Sequence, residues 1–92
     1  MGYVNWSYEV LKKFCNDVFT SFGFSADEAQ IITDVLLLSD LYGIESHGMQ
    51  RMVRYHKGIE KGMIDVHAKL EIVFETPVSA VIDGHDGMGQ LI

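Results

Sequence analysis

The spacing of the apolar residues changes near residue 70, and this change limits the fold class more than any other feature of the sequence. Before it, apolar side chains recur every three or four residues, as on one face of an α-helix. After it, Leu70, Ile72 and Phe74 alternate with other residues, and Val78, Ala80 and Ile82 do so again, which is typical of β-strands. The sequence therefore predicts an α+β fold, with three N-terminal helices followed by a β-hairpin. The expected helices span about residues 7–22, 26–42 and 47–61, and the expected strands about 69–75 and 78–83.

Specific end signals mark the first two helices. Ser7 and Gly23 flank the first helix, at positions that favour a hydroxyl cap and a left-handed residue respectively. Ser25 and Glu28 have the spacing of a capping box, in which each side chain bonds to the backbone of the other residue. Further along the second helix, residues 35–38 are all apolar, so we expect them to be buried between other elements.

Length and charge limit the number of domains and the kinds of partner. A chain of 92 residues forms one small domain, 1–92. It has no apolar run near the ~20 residues that a membrane span needs, and no secretory signal. The single Cys15 cannot form an internal disulfide, which fits a reducing cytoplasm. The net charge of -6 argues against nucleic acid as a partner. We therefore expect a cytoplasmic domain that binds neither membrane nor nucleic acid.

The third helix carries the strongest chemical signal. His47, Arg51 and Tyr55 follow one another at intervals of four residues, so a continuous helix would place them on one face, with Ser46 at its start. A guanidinium can hold a carboxylate through two parallel hydrogen bonds. An imidazole beside it can exchange a proton with a substrate oxygen. This row suits a small 2-hydroxy or 2-oxo acid, although a helix face with these residues is more often solvated surface. Gly48 weakens that simpler interpretation, because its missing side chain lets another group approach closely.

Other candidate residues have simpler explanations. The adjacent Ser46 and His47 lack the third member of a hydrolase triad. Asp83, His85 and Asp86 are more typical of a polar turn than of a metal site, so we expect no bound metal. Glycines 84, 87 and 89 do not have the spacing of a dinucleotide-binding loop. Four side chains are expected to pack in the core: Cys15, Met49, Met52 and Met63.

Residues 40–55 (DLYGIESHGMQRMVRY) resemble the N-terminal signature of the type 2 malate/L-lactate dehydrogenase family, which includes ureidoglycolate and sulfolactate dehydrogenases. Shorter similar segments follow in the family's order along the chain: Ser25–Ala29, Gly62–Ile64, Thr76–Pro77, Ile82–Gly84 and Gly87–Gln90. The resemblance implies an oxidoreductase that uses NAD or NADP, has a nucleotide domain unlike the Rossmann fold and forms homodimers. Its substrate would be a small 2-hydroxy or 2-oxo carboxylate such as malate or lactate.

By position, the resemblance places four residues in the substrate and nicotinamide cleft. Arg51 would bind the substrate carboxylate, and His47 would be the catalytic proton carrier or hydrogen-bond donor at the reacting oxygen. Ser46 and Tyr55 would orient the substrate or the nicotinamide amide, and both Ser46 and His47 would touch the nicotinamide. Most cofactor-binding residues of the family would lie beyond Ile92.

The resemblance covers only the first part of the family's length. We therefore expect this chain to be the N-terminal fragment of a larger dehydrogenase, with its hairpin joined to a larger sheet and with no activity as an isolated 92-residue polypeptide. The alternative is a non-enzymatic helical module for interaction or dimerisation. Substitution of Arg51 would then have no effect on catalysis, whereas changes in residues 36–38 would alter binding.

Overall fold

The computed structural model describes residues 5–92, which form three α-helices followed by one antiparallel β-hairpin, as the sequence predicts. No helix in this part of the chain has the length and hydropathy needed to cross a membrane. The elements are α1 (Tyr8–Ser21), α2 (Ala26–Leu41), α3 (Met52–Glu60), β1 (Glu71–Thr76) and β2 (Ser79–Asp83).

The predicted caps are present at the starts of α1 and α2. The Ser7 hydroxyl accepts a hydrogen bond from the backbone N–H of Val10 at 3.3 Å. At α2 the capping box is complete: the Glu28 N–H donates to the Ser25 hydroxyl at 3.2 Å, and the Ser25 N–H donates to the Glu28 carboxylate at 3.1 Å. Gly23, after α1, has a φ of +115°, which disfavours any residue with a side chain. These contacts fix where α1 ends and α2 begins.

The start of the third helix differs from the prediction. A continuous helix from residue 47 is wrong, because Gly48 has an extended backbone (φ −100°, ψ −148°) between two 3-10 turns, Glu45–His47 and Met49–Arg51. Only from Met52 does α3 continue as an α-helix. The backbone N–H of Met49 bonds to the Asp40 carboxylate rather than to a carbonyl of a preceding turn. A side chain of α2 therefore divides the predicted helix.

The core lies between α1 and α2. It contains Phe19, Ile32 and Leu36, and Met88 from the loop after β2 also packs into it. Cys15 is fully buried there, as predicted. Because Met88 follows the hairpin, the end of the described chain returns to the helices.

Two predictions of burial are wrong in part. Leu36 and Leu37 are buried, but Val35 and Leu38 are 43% and 48% exposed, because the described residues cover only one side of this part of α2. Met63 is exposed rather than packed in the core, since it lies in the turn after α3.

The hairpin has apolar side chains on both faces. Ile72 pairs with Ile82, and an irregularity between Ile72 and Phe74 shifts the register. The alternation of β1 predicts one buried face, which is wrong within residues 5–92: Phe74 is 63% exposed and its neighbour Val73 is 60% exposed. The two strands lie apart from the helical core, and a lone hairpin of this kind has little stability of its own.

Candidate functional site

Ser46 and His47 form a pair in the 3-10 turn that follows α2. The Ser46 hydroxyl oxygen lies 2.8 Å from Nδ1 of His47, and both side chains are exposed. When the hydroxyl donates this bond, the proton of a neutral imidazole is carried by Nε2. The pair can then present a donor to a substrate oxygen.

Arg51 is anchored to the same turn. Its Nε donates a 2.7 Å hydrogen bond to the backbone carbonyl of Ser46. The two terminal nitrogens of the guanidinium make no hydrogen bond or ion pair to residues 5–92. An anchored guanidinium whose two terminal groups are unpaired has the geometry that binds a carboxylate in a bidentate manner.

Tyr55 lies one helical turn beyond Arg51, and its partner comes from the other end of the chain. The Tyr55 hydroxyl accepts a 3.0 Å hydrogen bond from the side-chain amide of Gln90, and both residues are half-buried. Gln90 belongs to the 3-10 turn Gly89–Leu91. Gln90 is not one of the predicted site residues, and its place in the Gly87–Gln90 segment is the only sequence signal that could have identified it.

The predicted row of three residues is replaced by a different arrangement. His47 precedes the break at Gly48, so it does not share one continuous helix with Arg51 and Tyr55. The bond from Arg51 to the Ser46 carbonyl brings the two segments together instead. Within the described chain no hydrogen bond joins the Tyr55 side chain to Ser46, His47 or Arg51.

Asp40 supports the turn from the last turn of α2. Its carboxylate accepts a 2.9 Å hydrogen bond from the Met49 N–H. A Cβ atom added to Gly48 would collide with the same carboxylate. The sequence predicts a close approach at Gly48, and Asp40 is the group that makes it. Asp40 itself was missed, because its spacing from Met49 fits no helical or strand period.

A cleft of about 820 Å³ borders this site. Its lining includes Trp6, Tyr8 and Leu11 near the start of α1, and Glu45 and Gln50 in the two 3-10 turns. None of the four predicted site residues lines the cleft. Asp40 and Met49 do line it, so the cleft meets the site through the residues that support the turns.

The residues after β2 form a polar turn. The backbone N–H of His85 bonds to the Asp83 carboxylate at 2.8 Å, and the His85 ring lies 3.2 Å from the Glu71 carboxylate. His85 and Asp86 have φ angles of 51° and 59°, as in a tight turn. Among the residues that the structure describes, no group of three or more His, Cys, Asp or Glu side chains could hold a metal ion.

Comparisons with known proteins agree on one family. A family model described as malate/L-lactate dehydrogenase matches residues 6–92. The malate dehydrogenase of Pyrococcus horikoshii is 40% identical over 96 residues, covering 99% of this chain and 27% of that protein. The L-sulfolactate dehydrogenase of Methanocaldococcus jannaschii is 40% identical over 81 residues, covering 88% of this chain and 24% of that protein.

The fold agrees as well. The solved structure of malate dehydrogenase from Pyrococcus horikoshii OT3 superposes with a TM-score of 0.90 at 38% identity. The match covers 99% of this chain and 28% of that one. This chain therefore spans about a quarter of the length of the relatives that it matches.

Proposed function

Because this chain belongs to the malate/L-lactate dehydrogenase family, we propose that it supplies the substrate-binding turns of a 2-hydroxy acid dehydrogenase. The enzyme would move a hydride between a nicotinamide cofactor, NAD or NADP, and the carbon that bears the substrate hydroxyl. Its substrate would be a small 2-hydroxy or 2-oxo carboxylate, with malate and lactate as the first choices. The relatives named malate dehydrogenase and L-sulfolactate dehydrogenase support this class of substrate.

The observation that carries the proposal is the state of Arg51. Its Nε is held by the Ser46 carbonyl, while its terminal nitrogens have no partner among residues 5–92. Because the side chain is already fixed, binding a carboxylate through these nitrogens requires little further loss of conformational entropy. Arg51 therefore binds the substrate carboxylate and orients the rest of the molecule towards His47.

His47 has the proton-transfer role. When a 2-hydroxy acid is oxidised, its O–H proton passes to the imidazole and the C–H bond breaks with loss of a hydride. In the reverse direction, the imidazole returns the proton to the oxygen of the 2-oxo acid. For the oxidation, Nδ1 of His47 carries the proton of the neutral imidazole and donates it to the Ser46 hydroxyl at 2.8 Å, so that Nε2 is free to accept the substrate proton. Tyr55 orients the substrate from one turn further along.

The donor set of these residues also fits a nicotinamide carboxamide. Ser46 and His47 are exposed and offer both donor and acceptor atoms, as a primary amide requires. The cofactor, when bound, accepts or supplies the hydride. The other parts of the proposal are a homodimer, a cytoplasmic location and the absence of activity in an isolated 92-residue chain.

The proposal is tested by Arg51→Ala, Arg51→Lys and the control Arg54→Ala in the protein at its native length. Arg54 is an exposed arginine of α3, three residues after Arg51, and it makes no ion pair within the described chain. With pyruvate and oxaloacetate as substrates, and NADH and NADPH as cofactors, we expect Arg51→Ala to lower kcat/KM by about 100-fold or more. Arg51→Lys should recover part of the loss, because an ammonium binds a carboxylate without the bidentate geometry. Equal activity of Arg51→Ala and Arg54→Ala would contradict the proposal.

A second candidate function is that of an interaction or dimerisation module, which the exposed hairpin favours. Phe74 and Val73 are both exposed apolar residues of β1. Leu36 and Leu37 are core residues whose substitution would unfold the chain, so they cannot test this alternative. Phe74→Glu is the better variant. Under this alternative it changes the oligomeric state measured by light scattering, while Arg51→Ala has no effect on any reaction.

A further inference from the structure

Two contacts hold residues 45–51, the segment of two 3-10 turns that carries most of the candidate site. In the first, Arg51, which belongs to this segment, donates to the Ser46 carbonyl. In the second, Asp40 of α2 accepts from the backbone N–H of Met49, and Asp40 is not among the predicted site residues. Because the segment between Ser46 and Arg51 contains an extended glycine rather than continuous helix, its shape depends on contacts of this kind.

We propose that Asp40 is a positioning residue, whose carboxylate fixes the Gly48–Met49 backbone and thereby sets Ser46 and His47 relative to Arg51. This inference rests on the proposed function, since it assigns Asp40 to the same site. Asp40 itself contacts neither Ser46 nor His47 in any hydrogen bond of the described chain, so its effect passes through the backbone.

The location of Asp40 supports a role beyond the stability of its own helix. It is the penultimate residue of α2, a helix whose last turn contains no basic residue. A negative charge at this end of a helix is unfavourable, because the last carbonyls already carry partial negative charge. The half-buried carboxylate also forms no ion pair with residues 5–92. What it gains is the Met49 N–H, which would otherwise lack an acceptor at the start of a 3-10 turn.

The fit around this carboxylate is close. The Gly48 backbone passes so near to Asp40 that a Cβ at position 48 would collide with the carboxylate. Asp40 also lies near the buried Cys15 thiol, whose pKa it raises in addition to the effect of burial. The carboxylate thus contacts the Gly48–Met49 backbone on one side and lines the cleft on another. The contact with the backbone is what lets it set the position of other groups.

The test compares Asp40→Ala, Asp40→Asn and the control Ser25→Ala in the protein at its native length. Ser25→Ala weakens the other end of α2 by removing its cap, so it controls for a loss of helix stability. We expect Asp40→Ala to lower kcat/KM for pyruvate or oxaloacetate by about tenfold or more, through both KM and kcat, in protein that remains folded. Asp40→Asn should recover most of this loss, because its amide oxygen can still accept the bond from Met49. Ser25→Ala should leave kcat/KM within about twofold.

Two results would overturn the inference. One is that folded Asp40→Ala is as active as Ser25→Ala, and the other is that Asp40→Asn is as impaired as Asp40→Ala. A second readout does not depend on activity: hydrogen exchange, by mass spectrometry, of the peptide that spans residues 45–51. Faster exchange in Asp40→Ala than in Ser25→Ala supports positioning even if the wild-type protein reduces no 2-oxo acid, a result that would refute the proposed function alone. Equal exchange in the two variants refutes the positioning role.

Discussion

The hydroxyl oxygen of Tyr55 accepts a 3.0 Å hydrogen bond from the side-chain amide of Gln90, which joins α3 to the turn that follows the hairpin. The two residues are 35 positions apart. Both are half-buried, so water competes with this bond less than at an open surface. The position of this candidate-site residue therefore depends on a segment that is distant from it in the sequence.

Removal of this bond should destabilise the fold. We expect Tyr55→Phe to lower the free energy of unfolding by about 1 kcal/mol, because Gln90 keeps its half-buried amide without the acceptor. Tyr42→Phe is the matched control, since Tyr42 is 74% exposed. Urea unfolding of both variants measures the difference. A double-mutant cycle with Gln90→Leu should give a coupling of about 0.5–1 kcal/mol, and a coupling of zero would contradict the contact.

A side chain at position 48 should disturb both stability and the site. Gly48→Ala forces its Cβ against the Asp40 carboxylate, and we expect a loss of about 1–3 kcal/mol in the free energy of unfolding. Gly89→Ala is the control, because no atom of residues 5–92 lies within 4 Å of a Cβ added there. Thermal unfolding compares the two, and kcat/KM for a 2-oxo acid should fall only in Gly48→Ala. Equal Tm values for the two variants would mean that Asp40 can move away without penalty.

The capping box of α2 should make stability depend on acid pH. The backbone N–H of Ser25, which donates to the Glu28 carboxylate, lowers the pKa of this group below its usual value. The stabilising effect is complete above the pKa of Glu28 in the unfolded chain, near ~4.3, and is lost as the pH falls through the lower folded value. We expect Glu28→Gln to reduce the decline of stability below about pH 5, measured by urea unfolding from pH 6 to pH 3. Asp27→Asn is the control, because it removes an acidic residue from the same first turn and keeps the Ser25–Glu28 bonds.

The sequence predicts those parts of the fold that depend on neighbouring residues. Ser7, Ser25 and Glu28 cap their helices as expected, because a cap involves residues only three positions apart. The break at Gly48 could not be placed in the same way, since it depends on Asp40 in the preceding helix. A glycine in a helical pattern indicates a close approach, but it does not identify the approaching group.

The candidate site divides along the same line. The residue types at positions 46, 47, 51 and 55 could be selected from their chemistry and from the resemblance to a family. The arrangement of these residues could not be predicted, because two 3-10 turns interrupt the expected helix and its regular 100° spacing. The bond from Arg51 to the Ser46 carbonyl brings the two segments together instead. The role of Gln90 could not be predicted for another reason. Its contact with Tyr55 forms only when the chain after the hairpin returns to the helices.

The buried thiol of Cys15 should make stability depend on alkaline pH. Burial, assisted by the nearby negative charge of Asp40, raises the pKa of this thiol from 9.0 to about 11. Between these values the unfolded chain loses the thiol proton while the folded chain keeps it, so the free energy of unfolding falls as the pH rises. Two pH units correspond to about 2–3 kcal/mol.

Urea unfolding at pH 8, 9.5 and 10.5 measures this decline in the wild type and in Cys15→Ala. The variant has lower stability at pH 8 because it leaves a small cavity. All other ionisable groups are common to the two proteins, so the difference between the two pH profiles isolates the thiol. Parallel profiles would mean that the thiolate is tolerated in the core, whereas profiles that converge as the pH rises would confirm that the folded chain excludes it.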